Sequence, residues 1–165
     1  MKFKVGDKAV VPNLGVGVCT ELTTIDVGGE PYEVYVFQIM QTKSTQPTKF
    51  TVPVDSVGAN AVRELLPLDA IERVYDVLRD KDTPTDKQTW NRRYRKYQQK
   101  IQTGDPFEVA SVLRELAQVR LEKTLSFEEL KIFDKAHSLI VQEIAVAREV
   151  DEQVVARELE EIFTR

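Results

Sequence analysis

Residues 62–78 read VRELLPLDAIERVYDVL, and the chain changes character across them. Upstream stand six of the seven glycines, Gly6, Gly15, Gly17, Gly28, Gly29 and Gly58. Between them run short stretches rich in Val, Ile, Tyr, Thr and Phe, the residues that fit a pleated surface. Downstream of Pro67 the apolar residues recur every three or four positions, beginning with Ile71, Val74, Tyr75 and Leu78. That is the spacing of one helix face. The expected class is α+β: a small N-terminal β module over residues 1–66, then an all-helical domain over 67–165.

Four strands are expected, over 8–11, 16–23, 33–40 and 49–54. Gly28-Gly29 fits a tight hairpin turn, because glycine accepts positive φ freely. Gln41–Thr48 is polar, carries Pro47 and is expected to be a loop. So many short strands in so few residues suggest a small, strongly bent sheet or barrel. On the helical side, Asp69 with Glu72 reads as a start signal. Thr85-Asp86-Lys87-Gln88 repeats it before a second helix that Gly104 ends. Asp105-Pro106 opens a third helix, Ser126 with Glu129 forms a capping box for a long fourth, and Asp151 caps a fifth. Val109, Val112, Leu113 and Leu116, then Leu130, Phe133, His137, Ile140 and Ile144, keep helical spacing.

The composition narrows function by exclusion. At 42% hydrophobic, the 165 residues can build a real core. A single cysteine, Cys19, and a single histidine, His137, leave little for zinc sites, disulfides or cysteine and histidine catalysis. No phosphate loop, metalloprotease motif or nucleophile elbow occurs, and Gly15-Val16-Gly17 reads as a turn. An enzyme, a metal and a cofactor are therefore not expected. No stretch approaches the ~20 apolar residues of a membrane span, and the charged N-terminus is no signal peptide, so a cytoplasmic protein is expected. Glu128-Glu129 and Glu158, Glu160 and Glu161 read as solvated helix faces. Cys19 and His137 read as packed residues.

The formal net charge of -4 argues against a protein that coats nucleic acid or lipid. One segment runs the other way. Residues 87–100, KQTWNRRYRKYQQK, hold six cations and no acid, which leaves -10 for the remainder of the chain. The only tryptophan, Trp90, lies there with Tyr94 and Tyr97, and all three share a helical face with Ile101. Cations contact phosphates, and aromatic rings stack on bases or wedge between them. The alternative is that the aromatic face is core and the cations merely solvate the other side. In the β module, Tyr32, Tyr35 and Phe37 admit an aromatic cage, plain core packing, or a sheet edge that accepts a strand from another protein. The residues alone leave these open.

Phe3-Lys4-Val5-Gly6-Asp7, Val11-Pro12 and Gly15-Val16-Gly17 resemble the opening of the CarD/CdnL family of bacterial RNA polymerase-binding regulators. Val52-Pro53-Val54, Val57-Gly58 and Val62-Arg63-Glu64 resemble the end of that family's first module. Trp90-Asn91-Arg92-Arg93-Tyr94 resembles its most distinctive C-terminal motif, and Leu125-Ser126-Phe127-Glu128 its later helices. The similarity spans nearly the whole chain in order.

The resemblance implies a Tudor-like, SH3-like N-terminal module that binds the RNA polymerase β subunit through a sheet edge, carried here by Ile25, Phe37, Thr51, Val52 and Pro53. Where some members place arginine, this chain has Ile25 and Thr51, so a more apolar contact is implied. It also implies a helical domain on promoter DNA at the upstream fork of the bubble. Trp90 would be the minor-groove wedge there, with Arg92, Arg93, Arg95 and Lys96 on the backbone and no sequence-specific readout. The expected protein is a monomeric, non-enzymatic transcription regulator that stabilises the promoter open complex. The competing reading is a protein–protein adaptor with a Tudor-like peptide-binding module and a helical scaffold. Exposure of Trp90 beside the arginines favours DNA; burial of Trp90 with scattered cations favours the adaptor.

Overall fold

A computed structural model of the chain describes residues 3–40, 48–55 and 62–164. The chain divides into two compact units, Met1–Leu65 and Leu66–Arg165, each with its own apolar core. The expected 41–48 loop, save Thr48, and Val57-Gly58 lie outside the described residues.

The first unit is an antiparallel sheet of five strands. They are β1 (Lys8–Val11), β2 (Gly15–Val27), β3 (Glu30–Ile39), β4 (Lys49–Pro53) and β5 (Arg63–Glu64), in the order β4-β3-β2-β1-β5. This is the small β module expected, and among the described residues β4 and β5 are the two ends of the ladder. β2 and β3 extend to Gly28-Gly29, whose φ values of 63° and 87° suit the two-residue hairpin turn. Both strands are therefore longer than their apolar runs suggested. Their outer half is solvated on both faces, so no apolar alternation marks it.

Phe3, Tyr35 and Phe37 form the centre of the first core, with Phe3 edge-on to Phe37 at 5.5 Å between ring centroids. The Phe3 backbone N–H donates to the Tyr35 hydroxyl at 3.3 Å. A Cβ at Gly17 would sit 3.3 Å from Phe37 Cβ, so glycine at this position lets the ring lie against β2. Cys19 is buried in the same core, and burial pushes its thiol pKa up. The aromatic-cage reading does not survive: Tyr35 and Phe37 are sealed in the core, and Tyr32 is exposed on the opposite face of the sheet.

The second unit holds α1 (Leu68–Arg79), α2 (Trp90–Gln102), α3 (Pro106–Glu122), α4 (Phe127–Arg148) and α5 (Glu152–Thr164). α3 packs against α1, α2 and α4 and is buried along much of its length. Local start signals hold where the cap stands alone. Asp105 accepts the Phe107 N–H at 2.8 Å with Pro106 in the first turn. Ser126 and Glu129 exchange both bonds of the capping box, a motif in which each capping bond contributes about 1 kcal/mol. Gly104, at φ 73°, follows the end of α2.

Two starts differ from expectation. α1 begins one residue after Pro67 with no side-chain cap, and Asp69 lies inside its first turn, where it complements the helix dipole. α2 begins after Thr89 rather than Thr85. Asp86 instead accepts the Gln88 N–H, and its own N–H donates to Glu115 on α3 at 2.5 Å, so that stretch is held as a loop.

Candidate functional site

The acid-free segment forms α2, and its residues divide by facing. Tyr97 and Ile101 are each 1% exposed and belong to the core. Trp90 is half-buried at the N-terminal end of the helix, and Tyr94 next to it is 40% exposed. Their ring centroids are 5.7 Å apart, tilted by 59°. The predicted aromatic face is thus core at one end and open at the other.

The start of α4 fixes the open end. Trp90 Nε1 donates to Glu128 Oε2 at 2.7 Å. Arg93 lies over the Trp90 ring at 5.4 Å, and its Nη2 pairs with Glu129 Oε2 at 3.1 Å. That pair is buried: the two side chains are 14% and 3% exposed. Burial pushes the Glu129 carboxyl up, but bonds from Ser126 and Arg93 outweigh this and hold it below the usual range. Glu129 is therefore not part of the solvated face the sequence suggested, whereas Glu128 is exposed. A glutamate at the third position of a capping box turns back toward the helix start, and that signal was present in the sequence.

The predicted phosphate contacts fall into two groups. Arg92 and Arg95 are exposed and make no ion pair among the described residues, and neither does exposed Lys87. Arg93 is committed to Glu129 and Trp90, while Lys96 reaches Asp86 at 3.5 Å and stays half-exposed. Tyr97 is buried with the Arg93 guanidinium over its ring. Burial, and next its bond to Glu115, pushes its hydroxyl far above the normal range.

In the sheet, register decides which side chains can touch a partner. Thr51 pairs with Val36, Pro53 with Val34 and Val34 with Thr23, while Ile25 pairs with Tyr32 two residues along. Paired residues share a face and alternate residues return to it. Ile25, Thr51 and Pro53 therefore line one face, together with Tyr32 and Val27, while Val34 on the same face is buried. Phe37, which is wholly buried, and Val52, 8% exposed, line the other face with the core. β4 is the end strand, paired on one side only among the described residues. The sequence missed Tyr32 and Val27, 47% and 55% exposed, as neighbours of Ile25.

Among the described residues no cluster of His, Cys, Asp and Glu could hold a metal ion, and no helix is long and apolar enough to cross a membrane.

A family model described as CarD, C-terminal domain, matches residues 73–160, and another described as CarD-like/TRCF RID domain matches residues 3–66. A curated protein of Bacillus subtilis (strain 168), named "Putative transcription factor YdeB", is 24% identical over 157 residues, covering 93% of this chain and 97% of that protein.

Proposed function

Because the chain belongs to the CarD family of transcription regulators, we propose that its N-terminal unit binds the β subunit of RNA polymerase and that α2 stabilises the promoter open complex. The observation that carries this reading is the composition of the open end of α2. Two partly exposed aromatic rings share α2 with exposed Arg92 and Arg95, which make no ion pair among the described residues, on a helix without a carboxylate.

The proposed chemistry is purely non-covalent. Arg92, Arg95 and Lys87 hold backbone phosphates, and Trp90 enters the minor groove at the upstream fork. Unstacking a base step costs a few kcal/mol, and an indole filling the gap offsets that only where the duplex has already opened. A ligand that binds the open state more tightly shifts the equilibrium toward it. A preference of about 1.4 kcal/mol raises the open-complex ratio about tenfold. Arg93, whose charge is spent on Glu129, holds the indole in place rather than holding DNA. For the sheet, the exposed Ile25–Tyr32 pair beside the end strand supports polymerase docking through Thr51 and Pro53.

Trp90→Ala tests the wedge. The variant keeps its affinity for polymerase and shortens the open-complex lifetime several-fold, measured by competitor challenge. An unchanged lifetime refutes the wedge.

A further inference from the structure

Behind the Trp90 ring, α2 and α4 enclose a cleft of about 380 Å³, within the range of small-ligand sites. We propose that this cleft receives a single unpaired DNA base, with preference for bases that carry an exocyclic amine, such as adenine and cytosine, over thymine. The proposal deepens the open-complex reading and rests on it, because a base held in a duplex cannot reach such a site.

Four features of the cleft point to this ligand. First, its wall is aromatic: Tyr94 is open to solvent, and Trp90 stands tilted beside it. A flat base can stack on the phenol ring with its edge against the indole. Second, its floor is apolar, made by Ile101 and Ile132 at 1% and 4% exposure. Third, unspent polar groups face the opening. Glu128 uses only Oε2 on the indole N–H, which leaves Oε1 to accept from an exocyclic amine, as carboxylates do from cytosine N4. The Asn91 side-chain amide lines the same cleft and makes no hydrogen bond among the described residues. Thymine offers no exocyclic amine to Glu128, hence the preference.

Fourth, cations rim the mouth. Lys131 and Lys135 line the cleft one helical turn apart on exposed positions of α4. The Lys131 ammonium sits 4.6 Å over the ring of Phe127, which is 73% exposed. Phosphates flanking an extruded base pass such a rim, which α4 supplies through Lys131 and Lys135. Among the described residues the only carboxylate lining the cleft is Glu128, which the indole N–H already engages.

Trp90 is the only tryptophan, so its fluorescence reports directly on the cleft. The full chain is titrated at low ionic strength with short single-stranded oligomers of deoxyadenylate, deoxycytidylate and deoxythymidylate, and with an abasic oligomer of equal length. Binding to the adenine and cytosine oligomers quenches the emission, and the abasic oligomer binds about tenfold more weakly, as expected when one base stacks on one ring. Glu128→Gln, which can still accept the indole bond, narrows the difference between adenine and thymine. Lys131→Ala with Lys135→Ala weakens every oligomer while far-UV dichroism stays unchanged. Equal binding of abasic and base-bearing oligomers, or no binding to any, overturns the proposal. The assay contains neither polymerase nor duplex. A failed cleft beside a shortened Trp90→Ala open complex therefore removes the cleft alone. Base-selective binding beside an unchanged lifetime removes the wedge alone.

Discussion

Arg93 and Glu129 show how much one residue type can conceal. Arg93 belongs to a run of cations that reads as a uniform phosphate-binding stripe, yet its guanidinium closes a nearly buried pair with Glu129. Removing one partner of a buried pair leaves a charge without compensation. Glu129→Ala should cost about 3 kcal/mol, at the low end of that class because Arg93 can turn toward solvent. The shifted carboxyl adds a pH signature. The folded state holds Glu129 below its ordinary value of 4.5, so the unfolded chain binds that proton more readily. The stabilisation is complete above that pH and is lost as pH falls through the depressed folded value. Thermal unfolding from neutral pH to about 3 should drop more steeply for the wild type than for Glu129→Gln. The capping box made the inward turn of Glu129 readable. Its partner was not, because Arg93 lies 36 residues away.

At the scale of elements, periodicity located the helices and most strands, while register lay beyond it. β2 carries a bulge between Cys19 and Glu21, so the inward positions switch parity from Cys19 to Leu22. Counting alternate residues across that point gives the wrong face. The loop before α2 was misread for a similar reason: the residues that hold it, Glu115, Arg114 and Gln118, come from α3. Two substitutions separate contact from core in the sheet. Pro53→Arg should leave the unit folded and abolish pull-down of the polymerase β subunit. Phe37→Ala should cost about 3–5 kcal/mol and lose polymerase through unfolding, visible in the thermal transition. Retained pull-down by Pro53→Arg defeats the docking face. On α2, Arg92→Ala with Arg95→Ala should lower the salt slope of DNA engagement by roughly one for each residue removed, while Lys100→Ala, whose ammonium is engaged with Ser111, should change it little.

For the whole molecule, charge placement matters more than charge sum. A +6 segment within a chain of net -4 is too little for firm unaided binding to duplex DNA. On the proposed function, a tether to polymerase would supply the missing affinity as effective concentration. Separated fragments 1–65 and 66–165, mixed at the concentration of the intact protein, should therefore fail to prolong the open complex. Each has a core of its own, so each should still melt cooperatively. Prolongation by the mixture would show that the covalent link is dispensable.

The burial of Cys19 has a practical consequence. The sole thiol lies in the first unit and the sole indole in the second. With its sulfur sealed and its pKa raised, Cys19 reacts with a thiol reagent only when the sheet opens. Labelling rate and tryptophan emission therefore form two built-in clocks, one for each half of the chain. Run together through a denaturant series, they tell whether the halves unfold in step or one after the other, with no dye or mutation added.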